Sequence, residues 1–75
     1  MLAVQINKRQ KLYVTFEDDT KPNRGGYYCQ VYADEKCEYK IDDFTIHNSR
    51  LEGVENKMKR ACVIANSVVM DRYGK

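Results

Sequence analysis

Four short segments of the chain alternate between apolar and polar residues, which is the pattern of β-strands that bury one face. The segments span residues 2–6, 11–16, 27–33 and 37–46. Within each segment the apolar side chains share one parity, as do Leu2, Val4 and Ile6; Leu12, Val14 and Phe16; Tyr27, Cys29, Val31 and Ala33; and Cys37, Tyr39 and Ile41. The pattern therefore predicts four half-buried strands.

The connections between these segments predict an antiparallel meander. Residues 7–10 suffice for a hairpin turn between the first two strands, and residues 34–36 form a three-residue loop between the last two. The three-residue loop keeps the apolar sides of both strands on one face, with the pairs Ala33–Cys37, Val31–Tyr39 and Cys29–Ile41. The polar connection 17–26 ends in two glycines, so we expect it to be a surface loop and the most mobile segment.

The apolar parity changes within the fourth segment. Ile41 is odd-numbered, whereas Phe44 and Ile46 are even-numbered. The change falls at Asp42 and Asp43, where a β-bulge or a bend would return the apolar side chains to the same face.

Residues 50–73 carry apolar side chains at helical spacing and predict one long C-terminal amphipathic helix packed on one face of the sheet. Ser49 and Glu52 form a capping-box pattern at its start, whereas Gly53 shifts the expected start of regular helix toward Val54. The fold class is therefore α+β, a small antiparallel sheet of about four strands followed by one helix. The predicted inward arc of the helix comprises Leu51, Val54, Met58, Ala61, Cys62, Ala65, Val68, Val69 and Tyr73.

The predicted helix is longer than the strands that it covers. About 25 residues at about 1.5 Å each span about 37 Å, whereas six or seven residues of strand reach about 20 to 23 Å. Val63 and Met70 lie together on the otherwise polar side of the helix. We therefore expect a second contact surface, used most simply by a homodimer through the C-terminal helix. The alternative is a helix that bends or ends near residues 66–67 and covers its own strands.

The composition limits the size of the core and the class of partner. With 75 residues, 43% of them hydrophobic and 32% charged, we expect one globular domain over residues 1–75 with a small core. The net charge of +2 is far below the basic balance of a dedicated nucleic-acid-binding protein. Apolar runs are too short to cross a bilayer and residues 1–9 lack the order of a signal peptide, so we expect a cytoplasmic protein without membrane association.

The cysteine and histidine positions predict neither a disulfide framework nor a metal site. Cys29, Cys37 and Cys62 are an odd number without paired spacing, and His47 is the single histidine. We expect three reduced thiols that face the core, and no metal ion or cofactor. No serine or cysteine forms a recognisable catalytic motif with His47, and adjacent carboxylates on a strand point to opposite faces, so catalytic residues are not expected.

The sheet face opposite the helix is expected to carry several tyrosines. Its predicted members are Tyr13, Thr15, Tyr28, Gln30, Tyr32, Glu38 and Lys40. Tyrosine is enriched in the cores of protein interfaces, although aromatic residues also favour strands for their cross-strand contacts alone. Together with the two apolar helix positions, the predicted partner-binding residues are Tyr13, Tyr28, Tyr32, Lys40, Val63 and Met70.

A basic edge suggests a different use of the molecule. In a meander, the turns 7–10 and 34–36 lie beside the end of the helix. Any nucleic-acid contact is expected at this edge rather than at the helix start, where acidic residues outnumber basic ones. The basic residues at the edge are Lys8, Arg9, Lys11, Lys36, Arg72 and Lys75.

The order of strands followed by one helix resembles, in outline, the double-stranded-RNA-binding domains and several small viral, phage-encoded inhibitors, including some anti-CRISPR proteins. Lys57, Lys59 and Arg60 are similar to the lysine-rich helix start of the RNA-binding domain, whose first helix has no counterpart here. The likeness is architectural and identifies no family. We expect a small non-enzymatic binding protein, a regulator or inhibitor that docks on a larger protein or nucleoprotein complex. The alternative is a nucleic-acid-binding accessory protein that uses the basic edge.

Overall fold

The computed structural model describes residues 1–74 and confirms the α+β class. A four-stranded antiparallel sheet is followed by one C-terminal helix that packs on it. A 3₁₀ helix at Asn48–Arg50 precedes the helix α1 (Lys57–Tyr73). The strands are β1 (Leu2–Gln5), β2 (Lys11–Asp18), β3 (Tyr27–Tyr32) and β4 (Lys40–Ile46).

The sheet follows the predicted meander order β1-β2-β3-β4, so β1 and β4 form its edges. All three strand pairs are antiparallel. Alternate side chains enter the core between the sheet and α1, as the period of two requires. The core consists of Val4, Ile6, Leu12, Val14, Tyr27, Cys29, Val31, Phe44, Ile46, Leu51, Ala61, Ile64, Ala65 and Val69.

The register of β4 against β3 differs from the prediction. Cys29 lies opposite Phe44 rather than opposite Ile41. Phe44 and Ile46 are buried, whereas Ile41 is 47% exposed. Burial of the two even-numbered apolar side chains, Phe44 and Ile46, against the single odd-numbered Ile41 therefore determines which side of β4 faces the core.

One extra residue in β4 accommodates this register. Tyr32 pairs with Lys40 and Val31 pairs with Asp42, which leaves Ile41 unpaired as a β-bulge. The irregularity that the parity change indicates is therefore in β4, but it lies one residue earlier than expected.

The β3–β4 connection is seven residues long rather than three, because a side chain closes a wider loop. It spans residues 33–39. Asp34 Oδ1 accepts the backbone amides of Tyr39 at 2.8 Å and Glu38 at 3.0 Å. Cys37 adopts the left-handed backbone region, with φ of +58°. The predicted strand start at Cys37 is therefore wrong, and Tyr39 is 70% exposed rather than inward.

Helix α1 begins at Lys57, and the predicted start at residues 49–50 is wrong. Asn56 is the N-cap, and its side-chain oxygen accepts the amide of Lys59 at 3.1 Å. Ser49 lies instead in the 3₁₀ helix, where its amide donates to Nδ1 of His47 at 3.1 Å.

The chain between the 3₁₀ helix and α1 is not helical, and two residues characterise this break. Leu51 is only 3% exposed and packs in the core. Gly53 has φ of +70°, which a continuous right-handed helix does not allow. The capping box of Ser49 and Glu52 therefore does not form, and a start near Val54 is also too early.

The shorter helix removes the predicted overhang. The 17 residues of α1 span about 25 Å, close to the roughly 26 Å of an eight-residue strand such as β2. Val69 is fully buried, and Val68 and Tyr73 pack against the core. Because α1 is continuous to Tyr73, the alternative break near residues 66–67 is also wrong. Within the described residues, no apolar helix end extends past the sheet.

The buried side of α1 also differs from the predicted arc at two positions. Ile64 lies outside that arc and is buried, whereas Met58 lies inside it and is 43% exposed. Met58 is the second residue of the helix and lies at its exposed start. The buried helix residues are Ala61, Ile64, Ala65 and Val69.

The β2–β3 loop is fixed to the end of β4 by one buried asparagine. Asn23 Nδ2 donates to Asp19 Oδ2 at 2.9 Å and to the carbonyl of Ile46 at 3.2 Å. Asn23 Oδ1 accepts the amide of Asn48 at 2.8 Å. A Cβ atom at Gly26 would lie 2.4 Å from the Asn23 side chain, so glycine is required for this approach. The loop that was expected to be the most mobile segment is therefore anchored at its centre by Asn23.

We predict that Asn23→Ala lowers the free energy of unfolding by about 1 to 3 kcal/mol, because it leaves shielded backbone groups without partners. Urea denaturation monitored by circular dichroism measures the change. Asn66→Ala, at an exposed position of α1, is the matched control and should shift stability by less than about 0.5 kcal/mol. Equal midpoints for the two variants would contradict the anchoring role.

Candidate protein-binding face

The sheet surface opposite α1 carries a row of half-buried polar and aromatic side chains. Tyr13 lies opposite Tyr32, and Thr15 lies opposite Gln30. Because successive side chains alternate between faces, these residues share the side that α1 leaves uncovered. We call this surface the open face and define it by Tyr13, Thr15, Glu17, Tyr28, Gln30, Tyr32, Lys40 and Asp43.

Four of the six predicted partner-binding residues lie on the open face. They are Tyr13, Tyr28, Tyr32 and Lys40. Val63 and Met70 lie on the outer side of α1, where they are 61% and 36% exposed. The predicted set is therefore divided between two separate surfaces. Glu38, which was also expected on the open face, lies in the β3–β4 loop.

A chain of hydrogen bonds orients one part of the open face. The hydroxyl of Tyr32 donates to Gln30 Oε1 at 3.0 Å. Gln30 Nε2 in turn donates to Glu17 Oε1 at 3.1 Å. The three side chains come from two neighbouring strands, so the network restrains the phenol ring across the strand pair.

A second cluster surrounds Lys40. Its Nζ atom lies 3.0 Å from Asp43 Oδ2 and donates to the hydroxyl of Tyr28 at 3.2 Å. Nζ also lies 5.7 Å from the centroid of the Tyr28 ring. The hydrogen bond from Lys40, followed by that from Tyr28, lowers the pKa of Asp43, and the bond to Asp43 raises the pKa of Lys40. Because these groups are well exposed, the cluster orients side chains more than it stabilises the fold.

The charges on and beside the open face are balanced. Lys11 and Lys40 are matched in number by Glu17 and Asp43, and Lys40 is paired directly with Asp43. A phosphate backbone would meet two carboxylates on this surface. The open face is therefore better suited to a neutral or mixed-charge partner than to a polyanion.

The predicted basic edge loses one of its members to an internal ion pair. Lys8, Arg9, Lys11 and Lys36 are exposed, as a nucleic-acid contact requires. The guanidinium of Arg72, however, lies 2.8 Å from Asp42 Oδ2 and 5.6 Å from the centroid of the Phe44 ring. Lys75 lies outside the described residues.

The ion pair of Arg72 belongs to a cluster that clamps the end of α1 to β4, and our sequence reasoning did not predict it. Arg72 Nη1 and the hydroxyl of Tyr73 both donate to Asp42 Oδ2 at 2.8 Å. The bond from Arg72, followed by that from Tyr73, lowers the pKa of Asp42. The bond to Asp42 raises the pKa of Tyr73. The sequence contained one indication of this cluster. Asp42 shares the even parity of Phe44 and Ile46, which places it on the helix side of β4.

The three cysteines are free thiols with different surroundings. Cys29 is fully buried, and desolvation by burial raises its pKa to about 12. Cys37 and Cys62 are only partly buried. The expectation that Cys37 faces the core is wrong, whereas Cys62 lies near enough to Cys29 to contribute to the raised pKa of that thiol. Cys37 is displaced because it lies in the wider β3–β4 loop.

A shallow cleft of about 320 Å³ lies beside the start of α1. Arg24, Glu52 and Lys57 bring charges of both signs to its wall. Nζ of Lys57 lies 5.5 Å from the centroid of the Tyr27 ring. The negative charge of Glu52 and the contact of Lys57 with the Tyr27 ring make this cleft unfavourable for binding an anion.

Three further observations bear on the chemistry of the chain. Within residues 1–74, the acidic, histidine and cysteine side chains form no cluster that could hold a metal ion. Over the same residues, no helix combines the length and the apolar character that crossing a bilayer requires. The chain matches no protein-family model, no curated protein and no solved structure at a significant level of similarity.

We predict that a soluble thiol reagent labels Cys29 more slowly than Cys37, by roughly a factor of 100 or more, because access to Cys29 requires opening of the core. Mass spectrometry of peptides after timed quenching gives the two rates. In denaturant the rates should converge, which serves as the control. Equal rates in the native protein would contradict the burial of Cys29.

We predict that Asp42→Asn lowers stability at neutral pH by less than about 1 kcal/mol, because Arg72 is half exposed and its ion pair is screened. The folded-state pKa of Asp42 lies below its ordinary value of 3.8, so its contribution is complete above 3.8 and is lost as pH falls through the folded value. Denaturation midpoints measured between neutral and acidic pH should therefore converge for variant and unmodified protein. Asp71→Asn, on the exposed side of α1, is the control, and a deficit that persists at low pH would contradict the clamp.

Proposed function

We propose that the chain is a small non-enzymatic binding protein, a regulator or inhibitor, and that its open face docks on a partner protein. The observation that supports this most is the grouping of Tyr13, Tyr28 and Tyr32 on the one sheet surface that α1 does not cover. Tyrosine supplies a large contact area and a hydroxyl at a low cost in side-chain entropy. A surface with three such residues on adjacent strands has the composition of an interface core.

The restraint of two of these tyrosines supports the same proposal. The phenol of Tyr32 is bonded to Gln30, and that of Tyr28 is bonded to Lys40. Side chains that are already ordered lose less conformational entropy when a partner binds. The open face is therefore pre-organised for a contact of fixed geometry.

The balance of charge favours a protein over a nucleic acid as the partner. Nucleic-acid binding draws most of its affinity from neutralising phosphates, whereas the open face carries the two carboxylates of Glu17 and Asp43 and the single ammonium group of Lys40, which is already paired with Asp43. A protein surface of neutral hydrogen-bonding and apolar groups meets no such repulsion. Nucleic-acid binding through the basic edge remains the second candidate, supported by the exposure of Lys8, Arg9, Lys11 and Lys36.

We predict that replacing Tyr13 and Tyr32 together by alanine weakens capture of the partner from an extract of the native host by at least about tenfold, since truncation of even one interface hot-spot residue costs about 2 kcal/mol or more. Quantitative mass spectrometry of proteins retained on the tagged chain measures the loss. A far-ultraviolet circular dichroism spectrum must show that the double variant is folded.

The matched control is Val63→Ala with Met70→Ala, which alters the outer side of α1 and leaves the open face intact. Its capture should equal that of the unmodified chain. Loss of capture in the helix variant with retention in the tyrosine variant would reverse the assignment. Capture that disappears on nuclease treatment, and that falls when Lys8, Arg9 and Lys11 are replaced, would support the basic edge instead.

A further inference from the structure

The two edges of the sheet are protected to very different degrees. On β4 the amide of Asp43 donates to Asp42 Oδ1 at 2.8 Å, and the carbonyl of Asp43 accepts from Arg72 Nη1 at 3.4 Å. The bulge at Ile41 and the charged side chains of the strand add further obstacles. Bulges, charges and occupied backbone groups are the devices by which natural sheets prevent edge-to-edge pairing.

The β1 edge has none of these devices in its strand. Its sequence, Leu2–Gln5, is Leu-Ala-Val-Gln, without charge, proline or glycine. Its ladder with β2 is regular over all four residues. An uncharged and regular edge strand can accept another strand at its free side, and the four residues of β1 limit such pairing to a short ladder.

The hydrogen-bond pattern identifies the backbone groups on that free side. The amide of Ile6 donates to the carbonyl of Gln10 at 3.1 Å, so this pair is of the hydrogen-bonded type. Such pairs alternate along an antiparallel ladder, which directs the backbone of Val4 toward β2. The N–H and C=O groups of Ala3 and Gln5 consequently point away from the sheet, and both residues are exposed.

We propose that β1 pairs with β1 of a second copy of this chain, antiparallel and about a two-fold axis, so that the two sheets join into one of eight strands. In the register that places Val4 opposite Val4 of the second copy, Ala3 lies opposite Gln5. Four backbone hydrogen bonds then connect the two copies. The proposal is independent of the function of the open face, which the pairing leaves uncovered.

The side chains in this register favour a second copy as the occupant. Leu2 lies opposite Ile6 of the other chain, and Val4 lies opposite Val4, so apolar residues of the two cores meet across the seam. The remaining pair joins Ala3 to Gln5, and no like charges face each other. A two-fold axis requires a self-complementary surface, and the uncharged β1 edge meets that requirement, whereas the acidic middle of β4 does not.

Two measurements on the full chain test the proposal. Sedimentation velocity from micromolar to millimolar concentration should show a monomer that converts to a dimer. Over the same range, amide hydrogen exchange followed by NMR should slow at Ala3 and Gln5. The amide of Asp43 on the opposite edge is the internal control, and its exchange should not depend on concentration.

The variant Ala3→Pro removes one donor per chain, and hence two of the four bonds, and should weaken the dimer by at least about tenfold. Ala3→Ser keeps the amide and should leave the dimer unchanged. A strict monomer would overturn the proposal, as would a dimer that Ala3→Pro does not weaken or that slows exchange only around Val63 and Met70 in α1. If Ala3→Pro fails to fold, the exchange of Ala3 and Gln5 in the unmodified chain still decides the question.

Discussion

The register of β4 against β3 is the constraint on which most of the surface chemistry depends. Burial of Phe44 and Ile46 determines which side of β4 enters the core, and the extra residue Ile41 absorbs the mismatch with the loop before it. A shift of one residue would turn every side chain of the strand to the opposite face. The groups that β4 presents on each side of the sheet follow from this register.

Three features depend on that register at once. Asp42 faces the helix and holds the end of α1 through Arg72 and Tyr73. The neighbouring Asp43 faces the other way and orients Lys40 toward Tyr28. Asp42 and Arg72 occupy the backbone amide and carbonyl of Asp43 at the outer edge of β4, so that β1 is the accessible edge. Asp42 and Asp43 are adjacent in the sequence, where a run of carboxylates is usually solvated. In the structure they make separate contacts on the two faces of the sheet.

Local alternation predicted the parts of the fold in which burial alone decides conformation. The strand order, the inward residues of β1 to β3 and the placement of Tyr13 and Tyr32 on one face follow from a period of two. The alternation of apolar and polar residues did not predict the segments whose conformation is set by a hydrogen-bonding side chain or by an unusual backbone dihedral angle. Asp34 widens the last hairpin, Gly53 delays the helix, and Asn23 anchors a loop, and none of these effects has a periodic signature.

Cross-strand nuclear Overhauser effects between β3 and β4 test the central claim most directly. The structure predicts backbone contacts of Gln30 with Asp43 and of Tyr28 with Thr45. Contacts that instead place Cys29 opposite Ile41 would indicate the three-residue hairpin. In that case Asp42 would lose its position beneath α1, and the accounts of the helix clamp, the Lys40–Asp43 cluster on the open face and the protected edge would all be contradicted.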